Sequence, residues 1–162
     1  MLHFTLLMLE NEKQFADFLF VDAELKQYDQ WRINDKHTIN FKQIIDRVDK
    51  VYNSATGDYV MRFVDYKTGG DKVDIPSISA LFDRDKKDRR KAIFQLFVYC
   101  FFYAYKTGFQ DDIKPYIYSY RTLNTEHLPP IKISKKELES YLEYKDEFWE
   151  SFECLINEIF DE

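Results

Sequence analysis

The sequence has 162 residues, of which 45% are hydrophobic and 18% aromatic, with 4 Gly and 4 Pro. This length suits one domain, and the apolar content excludes a disordered chain, which lacks the surface to offset the entropy of ordering. The 23 Lys and Arg residues against 29 Asp and Glu residues give a net charge of −6. A protein with a basic surface throughout is therefore excluded, and any site for nucleic acid has to be locally basic.

Cysteine usage and hydropathy indicate the compartment. Cys100 and Cys154 lie in apolar segments predicted to be helical, and no Cys/His spacing is typical of zinc. No apolar run approaches the roughly 20 residues that cross a bilayer, and Met1 to Phe4 lack the features of a signal peptide. We therefore expect a reduced, cytoplasmic protein with no membrane partner.

The N-terminal part is predicted to form a helix and a strand. Between Phe4 and Leu19 the apolar residues fall near one helical face; they are Leu6, Leu7, Leu9, Phe15, Phe18 and Leu19. Alternation from Val21 to Lys26 predicts a half-buried strand, and the polar stretch from Tyr28 to Lys36 is expected to interrupt it.

The middle of the chain has the pattern of a hairpin. Thr38 to Tyr52 predicts a long strand, Asn53 to Asp58 has turn chemistry, and Tyr59 to Tyr66 predicts a second, antiparallel strand. A polar loop with an apolar island at Ile78 to Phe82 is expected over Asp71 to Lys87, and its length suggests a function.

A helix is predicted from Arg89 to Lys106, where Gly108 ends it. Pro115 to Tyr120 predicts a short strand, and Ser134 with Glu137 has the capping-box spacing that starts a last helix, residues 134–160. The predicted order is helix, strand, long strand, strand, helix, strand, helix. The alternating tyrosines Tyr116, Tyr118 and Tyr120 are expected to pack rather than to stack on bases.

Three charged residues interrupt the apolar pattern of the predicted hairpin. Asp46 lies inside the long strand, and Asp65 and Lys67 end the next one. Residues i and i+2 of a strand share a face, so the hairpin could bring Asp46 beside Asp65 and Lys67. Two carboxylates suit Mg²⁺ or Mn²⁺, and a neighbouring lysine can orient or deprotonate a water. The group indicates metal-assisted phosphodiester hydrolysis.

The Asp-x-Lys tripeptide alone is weak support, because it also occurs at Asp85 and at Asp112. Only the copy at Asp65 ends an apolar strand, follows a strand with a buried acid and leads into Gly-Gly. Salt-bridged strand-end acids are the alternative interpretation of Asp46 and Asp65 taken singly.

Three segments in order carry a resemblance. They are Ile45-Asp46-Arg47-Val48-Asp49, Val64-Asp65-Tyr66-Lys67-Thr68-Gly69 and Phe94-Gln95-Leu96-Phe97-Val98-Tyr99. They resemble the signatures G-x-I-D-R-x-D, D-Y-K-T-G and Q-x-x-x-Y of the RecB-type branch of the PD-(D/E)XK nuclease superfamily. The resemblance covers roughly residues 21–121 and is closest to C-terminal nuclease domains of bacterial helicase-nuclease proteins of double-strand-break repair.

The resemblance implies a mixed α/β (α+β) fold of the restriction-endonuclease type, a central mixed sheet flanked by helices, with residues 1–162 forming one nuclease domain. It implies Asp46, Asp65 and the backbone carbonyl of Tyr66 as ligands of Mg²⁺ or Mn²⁺. Lys67 would position or activate water. Gln95 and Tyr99 would form a supporting pair near the metal and the DNA backbone, one helical turn apart. The implied partners are DNA and a helicase-like region or subunit.

Two positions depart from the family pattern. Gln43 stands where the family usually has Gly before the I-D-R segment. The family's acid-or-His motif on an upstream helix has no clear counterpart, because His3 lies at the extreme N-terminus and Glu24 on a predicted strand. We expect the chain to be a fragment of a longer protein, trimmed at or inside that helix, with activity reduced accordingly.

A basic run lies between the second and third motifs. Residues 84–91 carry six positive and two negative side chains. The cations that could contact DNA phosphates are Arg84, Lys86, Lys87, Arg89 and Arg90. A solvated helix start and contact with DNA phosphates are equally good interpretations of this run.

The sequence therefore favours a metal-dependent DNA exonuclease domain acting in recombination or repair. A non-catalytic DNA-binding or scaffolding module that kept the nuclease fold is the first alternative. A hydrolase of small phosphate esters is the second.

Overall fold

The structure is a computed structural model, and it describes residues 2–13, 17–54, 56–69, 72–85, 90–108, 111–123 and 130–160. The helices are α1 (Leu2–Glu12), α2 (Lys91–Thr107), α3 (Tyr120–Leu123) and α4 (Lys145–Phe160). The strands are β1 (Phe18–Arg32), β2 (Thr38–Asn53), β3 (Asp58–Lys67), β4 (Asp74–Ile75), β5 (Ile113–Ser119), β6 (Lys132–Ile133) and β7 (Lys136–Glu137). Two 3₁₀ turns cover Ser79–Leu81 and Tyr141–Tyr144.

The central sheet has four strands in the order β1-β2-β3-β5. β1 and β3 both pair antiparallel to β2, whereas β3 and β5 are parallel, with α2 in the connection between them. A small second sheet has the order β4-β6-β7. This architecture, a mixed sheet flanked by helices in an α+β chain, confirms the predicted fold class.

Each face of the central sheet packs on its own apolar cluster. The larger one joins Phe63 of β3 to Phe97 of α2 and Phe148 of α4, and all three side chains are fully buried. The smaller one joins Val64 and Tyr118 to the apolar side of α1. Successive residues Phe63 and Val64 thus point to opposite faces, as strand geometry requires, and β3 is buried on both sides.

The predicted α2 is confirmed with its end at Gly108. Glycine there has φ +71°, and its amide donates to the carbonyl of Tyr105, the left-handed ending that glycine adopts without a Cβ penalty. The cysteines lie on α2 and α4 as predicted, and both are free thiols, Cys100 buried and Cys154 exposed. None of the helices in the described ranges is both long and apolar enough to cross a membrane.

The prediction for the N-terminal part is wrong in its boundaries. The first helix ends at Glu12, and Phe18 and Leu19, which were assigned to its apolar face, are exposed residues of β1. Phe15 lies outside the described residues. β1 also continues to Arg32, through the stretch predicted to interrupt it, because Tyr28 to Arg32 pair residue by residue with β2. Cross-strand pairing with a long partner outweighs the polar composition of this segment.

The last helix also begins later than predicted. Ser134 and Lys135 have positive φ values, 51° and 70°, and form the turn between β6 and β7. Ser140 caps the following 3₁₀ turn, where its hydroxyl accepts from the amide of Leu142 at 3.1 Å, and α4 starts at Lys145. The capping-box spacing at Ser134 was therefore coincidental. Tyr120 likewise begins α3 instead of ending a strand.

Candidate active site

The hairpin of β2 and β3 brings the two predicted carboxylates together. The β2–β3 ladder ends at the pair of Arg47 with Val64, and Asp46 is the next residue of β2 beyond it. At this end of the ladder the Asp46 side chain takes part in the pairing, because its Oδ2 accepts a hydrogen bond from the backbone N–H of Tyr66 at 2.8 Å. The Asp46 carboxylate is thereby fixed directly beside the segment Asp65 to Lys67.

A bend in β2 explains how Asp46 reaches that position. Ile45 and Val48 are three residues apart, yet both belong to the core under α2, so the strict alternation of a strand is broken between them. Glu24 of β1 lies opposite Asp46, between the pairs Ala23–Arg47 and Leu25–Ile45, and has φ +53°. Such irregularities re-aim a side chain without ending the strand.

A chain of polar contacts then runs from β3 to α2. Lys67 Nζ lies 2.7 Å from Asp65 Oδ2 and donates to Gln95 Oε1 at 2.9 Å. The amide nitrogen of Gln95 in turn donates to the hydroxyl of Tyr99, one helical turn along α2. Gln95 therefore bonds to two side chains of the candidate site.

The pKa of Tyr99 is raised from its ordinary value. Burial raises the pKa of Tyr99, the hydrogen bond from Gln95 lowers it, and the negative charges of Asp65 and Asp46 raise it further. The phenol consequently stays protonated at neutral pH. Because the Tyr99 oxygen accepts from Gln95, its own proton is left to donate to another acceptor.

The oxygen atoms of Asp46, Asp65 and the Tyr66 carbonyl can be compared with the ligands that a divalent ion needs. Asp46 uses one acceptor position for Tyr66, and a carboxylate has about four. The described residues hold no cluster of three or more His, Cys, Asp or Glu side chains suited to a metal. Mg²⁺ keeps several waters and is commonly held by one or two carboxylates together with substrate phosphate. Asp46, Asp65 and the carbonyl of Tyr66 fit that smaller requirement.

A buried ion-pair network lies on the opposite face of the sheet. Arg47 Nη2 contacts Glu12 Oε1 at 2.6 Å, and its Nε contacts Asp49 Oδ2 at 2.9 Å. Arg62 bridges the same two acids, at 2.8 Å to each. Arg62 and Asp49 are fully buried. Two cations and two anions balance here, which is the condition under which buried charges are tolerated.

The network reaches the site through Tyr66. Arg47 donates to the Tyr66 hydroxyl at 3.1 Å, while the Tyr66 amide binds Asp46. Burial disfavours the charge on Arg47, but its hydrogen bond and attraction to Glu12 outweigh this and raise the pKa of the guanidinium. Burial also disfavours the charge on Glu12 and so raises its pKa. The charge of Arg62 and the hydrogen bonds from Tyr118, Arg47 and Arg62 outweigh this, and the pKa of Glu12 falls below its ordinary value. Arg47 and Glu12 are therefore both charged at neutral pH.

Residues beyond the predicted set also position the hairpin. Ser119 of β5 pairs with Lys67, and its hydroxyl donates to the carbonyl of Gly69, which fixes the chain just after the site. No local pattern predicts the contact of Glu12 with Arg62 or that of Ser119 with Gly69, because each joins residues 50 positions apart. The buried tyrosines Tyr116 and Tyr118 pack in the sheet as predicted.

Gln43 is a buried residue whose surroundings do not match its chemistry. It lies on the core side of β2, is 4% exposed, and within the described ranges neither end of its amide has a hydrogen-bond partner. Its cross-strand neighbour Gln27 is buried as well, and the Gln27 side-chain oxygen also lacks a partner there.

The predicted phosphate contacts are only partly placed. Arg84 pairs with Glu158 at 2.6 Å, and Arg90 donates to the carbonyl of Asp74 at 3.0 Å. Lys86, Lys87 and Arg89 lie outside the described residues, so only Asp85 of that Asp-x-Lys copy is described.

The copy at Asp112 is not a second site. Its lysine, Lys114, pairs with Glu137 and Glu139, whereas Asp112 accepts from the Ser140 hydroxyl. The two candidates for the upstream motif are also placed: His3 is exposed on α1, and Glu24 is exposed on β1, as its predicted strand position requires.

Comparison with models of known protein families and with curated protein sequences finds no match. A function for the chain has to be argued from its own residues.

Proposed function

We propose that the chain is a metal-dependent nuclease domain that hydrolyses phosphodiester bonds of DNA. The observation that carries the proposal is the convergence of Asp46, Asp65 and Lys67, three residues of two strands, with the Gln95–Tyr99 pair of a helix. This is the set that the resemblance to RecB-type PD-(D/E)XK nucleases selects, and the packing of the chain brings its members into one hydrogen-bonded group.

Asp46, Asp65 and the carbonyl of Tyr66 would hold Mg²⁺ or Mn²⁺. The bound ion would supply charge stabilisation at the scissile phosphate and a lowered pKa for a coordinated water. Lys67, whose ammonium is held beside Asp65 and Gln95, would orient this water by donating to it. It would accept the proton of the water only as the neutral amine, after losing a proton of its own. Gln95 and Tyr99 act as positioning residues for Lys67 and the carboxylates, in the way that outer partners of a metal site orient its ligands.

The proposed setting is a recombination or repair protein of the helicase-nuclease type, with DNA degraded from an end. A chain with a net charge of −6 has no general attraction for DNA. A helicase-like region or subunit would therefore deliver and hold the substrate, and cleavage by this chain alone would be weak but measurable.

The proposal is tested by incubating the purified chain with labelled linear single- and double-stranded DNA in Mn²⁺. We expect degradation by the wild type and its loss in Lys67→Gln. Lys50→Gln is the matched control, because Lys50 is an exposed lysine of the same hairpin. Activity that survives Lys67→Gln, or that is equal in chelator, would contradict the proposal.

A non-catalytic module that kept the fold is favoured by one observation. Lys67 already neutralises Asp65 at 2.7 Å, and the described residues add no third acidic or imidazole side chain at the pair. Calorimetric titration with Mn²⁺ in the presence of DNA separates the two functions. Heat of binding that disappears in Asp46→Asn supports the nuclease, and its absence in the wild type supports the module. Cleavage of model phosphate esters but not of DNA would instead indicate a small-ester hydrolase.

A further inference from the structure

The ribbon of β1 and β2 extends beyond the rest of the sheet. β2 pairs with β3 only from Arg47 to Asn53, but with β1 as far as the pair of Arg32 with Thr38. One side of this extension packs on the core through Trp31 and Phe41. The other side, here named the ribbon face, is exposed at all eight positions: Lys26, Tyr28, Gln30, Arg32, Thr38, Asn40, Lys42 and Ile44.

The ribbon face is basic on an acidic chain. Its eight residues include three cations and no acid, although Asp and Glu outnumber Lys and Arg in the sequence by six. Arg32 pairs with Asp35 in the turn at 2.6 Å, so Lys26 and Lys42 supply most of the accessible charge. Such a locally positive surface attracts an anionic polymer where the chain as a whole repels it.

An exposed aromatic ring lies in the middle of the face. Tyr28 is 61% exposed, and the ammonium of Lys42, its cross-strand partner, lies over the ring at 5.8 Å from the centroid. Next to this pair, Gln30 donates to Asn40 across the ribbon at 2.9 Å. An exposed ring beside a cation and amides can stack a base, bind its phosphate and hydrogen-bond its edge.

The surface here is concave. A cavity of about 590 Å³ is lined by Tyr28 and Lys42 and also by Lys106 at the end of α2. Lys106 lies 3.8 Å from Asp29, so its charge is only partly compensated. The lining also includes Asp29 and Phe41, which belong to the reverse of the ribbon, so the cavity is not confined to the ribbon face.

We propose that the ribbon face is a binding site for single-stranded nucleic acid, separate from the carboxylates. The ribbon face lies on the side of the sheet away from α2, because Trp31 and Phe41 on its reverse pack on the core cluster that includes α2. The candidate active site lies on the α2 side, where Lys67 contacts Gln95. This inference goes beyond the proposed function, because it can hold whether or not the carboxylates cleave DNA.

A single strand fits the face better than a duplex. Stacking on Tyr28 needs a base with an open face, which paired bases do not offer. A two-stranded ribbon can enter the major groove of DNA, so binding of duplex is the competing outcome and is measured in parallel.

The binding test uses the full chain in chelator, where no metal-dependent cleavage occurs. Fluorescence anisotropy of a labelled oligothymidylate gives Kd as salt is varied. We expect Tyr28→Ala to raise Kd roughly 5- to 150-fold, the range for loss of one stacked base. Lys42→Ala is expected to flatten the slope of log K against log salt by about 0.7, the value for one phosphate contact on a single strand.

The matched controls are Tyr59→Ala and Lys50→Ala, an exposed tyrosine and an exposed lysine on the sheet away from the ribbon. Both are expected to bind like the wild type. Equal effects of Tyr28→Ala and Tyr59→Ala, tighter binding of duplex than of single strand, or no binding by the wild type would each overturn the ribbon proposal.

Failure of the two proposals gives different results. Binding that depends on Tyr28 without any cleavage in Mn²⁺ would reject the nuclease and leave the ribbon face as a binding site. Cleavage in Mn²⁺ by the wild type, together with anisotropy binding that is the same in the wild type, Tyr28→Ala and Lys42→Ala, would reject the ribbon face and leave the nuclease.

Discussion

The ammonium of Lys67 at the end of β3 donates to the side-chain oxygen of Gln95 on α2 at 2.9 Å. The same amide donates through its nitrogen to Tyr99, so its orientation is fixed at both ends. This contact joins a strand residue and a helix residue into one site. Both residues belong to the set implied by the resemblance, but the direct bond between them is a finding of the structure.

Replacing Gln95 by leucine tests this contact. Leucine keeps the volume but removes the acceptor of Lys67 and the donor to Tyr99, so the ammonium loses its second anchor. We expect kcat for DNA cleavage to fall about 10- to 100-fold, the usual effect of removing a partner that orients a metal site, with KM little changed. Steady-state cleavage kinetics measure both constants.

The control on the same helix is Tyr105→Leu, at a side chain that is 69% exposed. Its activity should equal that of the wild type. A Gln95→Leu variant that folds and cleaves at the wild-type rate would show that Lys67 needs no anchor on α2.

Glu12 is expected to stabilise the fold from behind the site. Glu12→Gln removes a carboxylate that contacts both Arg47 and Arg62. A buried cation that loses its partner is strongly unfavourable, and we expect the free energy of unfolding to fall by about 3–5 kcal/mol. Urea denaturation at pH 7 measures the difference. Glu10→Gln, at an exposed residue of the same helix, should cost less than about 1 kcal/mol.

The contribution of Glu12 should depend on pH in a defined direction. Its pKa in the folded protein is lower than the ordinary value of 4.5, so folding favours the ionised form. The stabilisation is complete above pH 4.5 and is lost as the pH falls through the folded pKa. The stability gap between wild type and Glu12→Gln should therefore narrow below pH 4.5. A gap that is constant from pH 7 to pH 3 would show that the charge of Glu12 does not matter.

Replacing Gln43 should stabilise the fold, whereas replacing Glu12 should destabilise it. Its buried amide has no partner among the described residues, and such a group costs the free energy of its desolvation. We expect Gln43→Leu to raise the free energy of unfolding by about 1–3 kcal/mol in urea titrations. The exposed Gln30→Leu should change it by less than about 0.5 kcal/mol. Destabilisation by Gln43→Leu would mean that the amide is bound in the folded protein.

The sequence was informative where a pattern is local and periodic. The hairpin, the helix ending at Gly108 and the shared face of Asp65 and Lys67 follow from strand alternation, turn residues and a helix cap, and the structure confirms them. The bend that presents Asp46 could not be predicted, because it depends on the irregular pairing opposite Glu24.

Predictions failed where tertiary pairing outweighs local composition. The polar residues from Tyr28 to Arg32 stay in β1 because β2 pairs with them over their whole length. The apparent cap at Ser134 is a turn between strands, because β6 pairs with both β4 and β7 in the second sheet. The ion pairs of Glu12 with Arg47 and Arg62 join residues 35 and 50 positions apart, which no local pattern indicates.

The central claim is that Asp65 is part of a metal-dependent phosphodiesterase site. Single-turnover cleavage of end-labelled DNA in Mn²⁺ should be compared for the wild type, Asp65→Asn and Asp58→Asn, the last at an exposed acid of the same strand. The account predicts cleavage by the wild type and by Asp58→Asn and at least a 100-fold slower reaction in Asp65→Asn. Equal rates for all three proteins, or no cleavage by any of them, would contradict it.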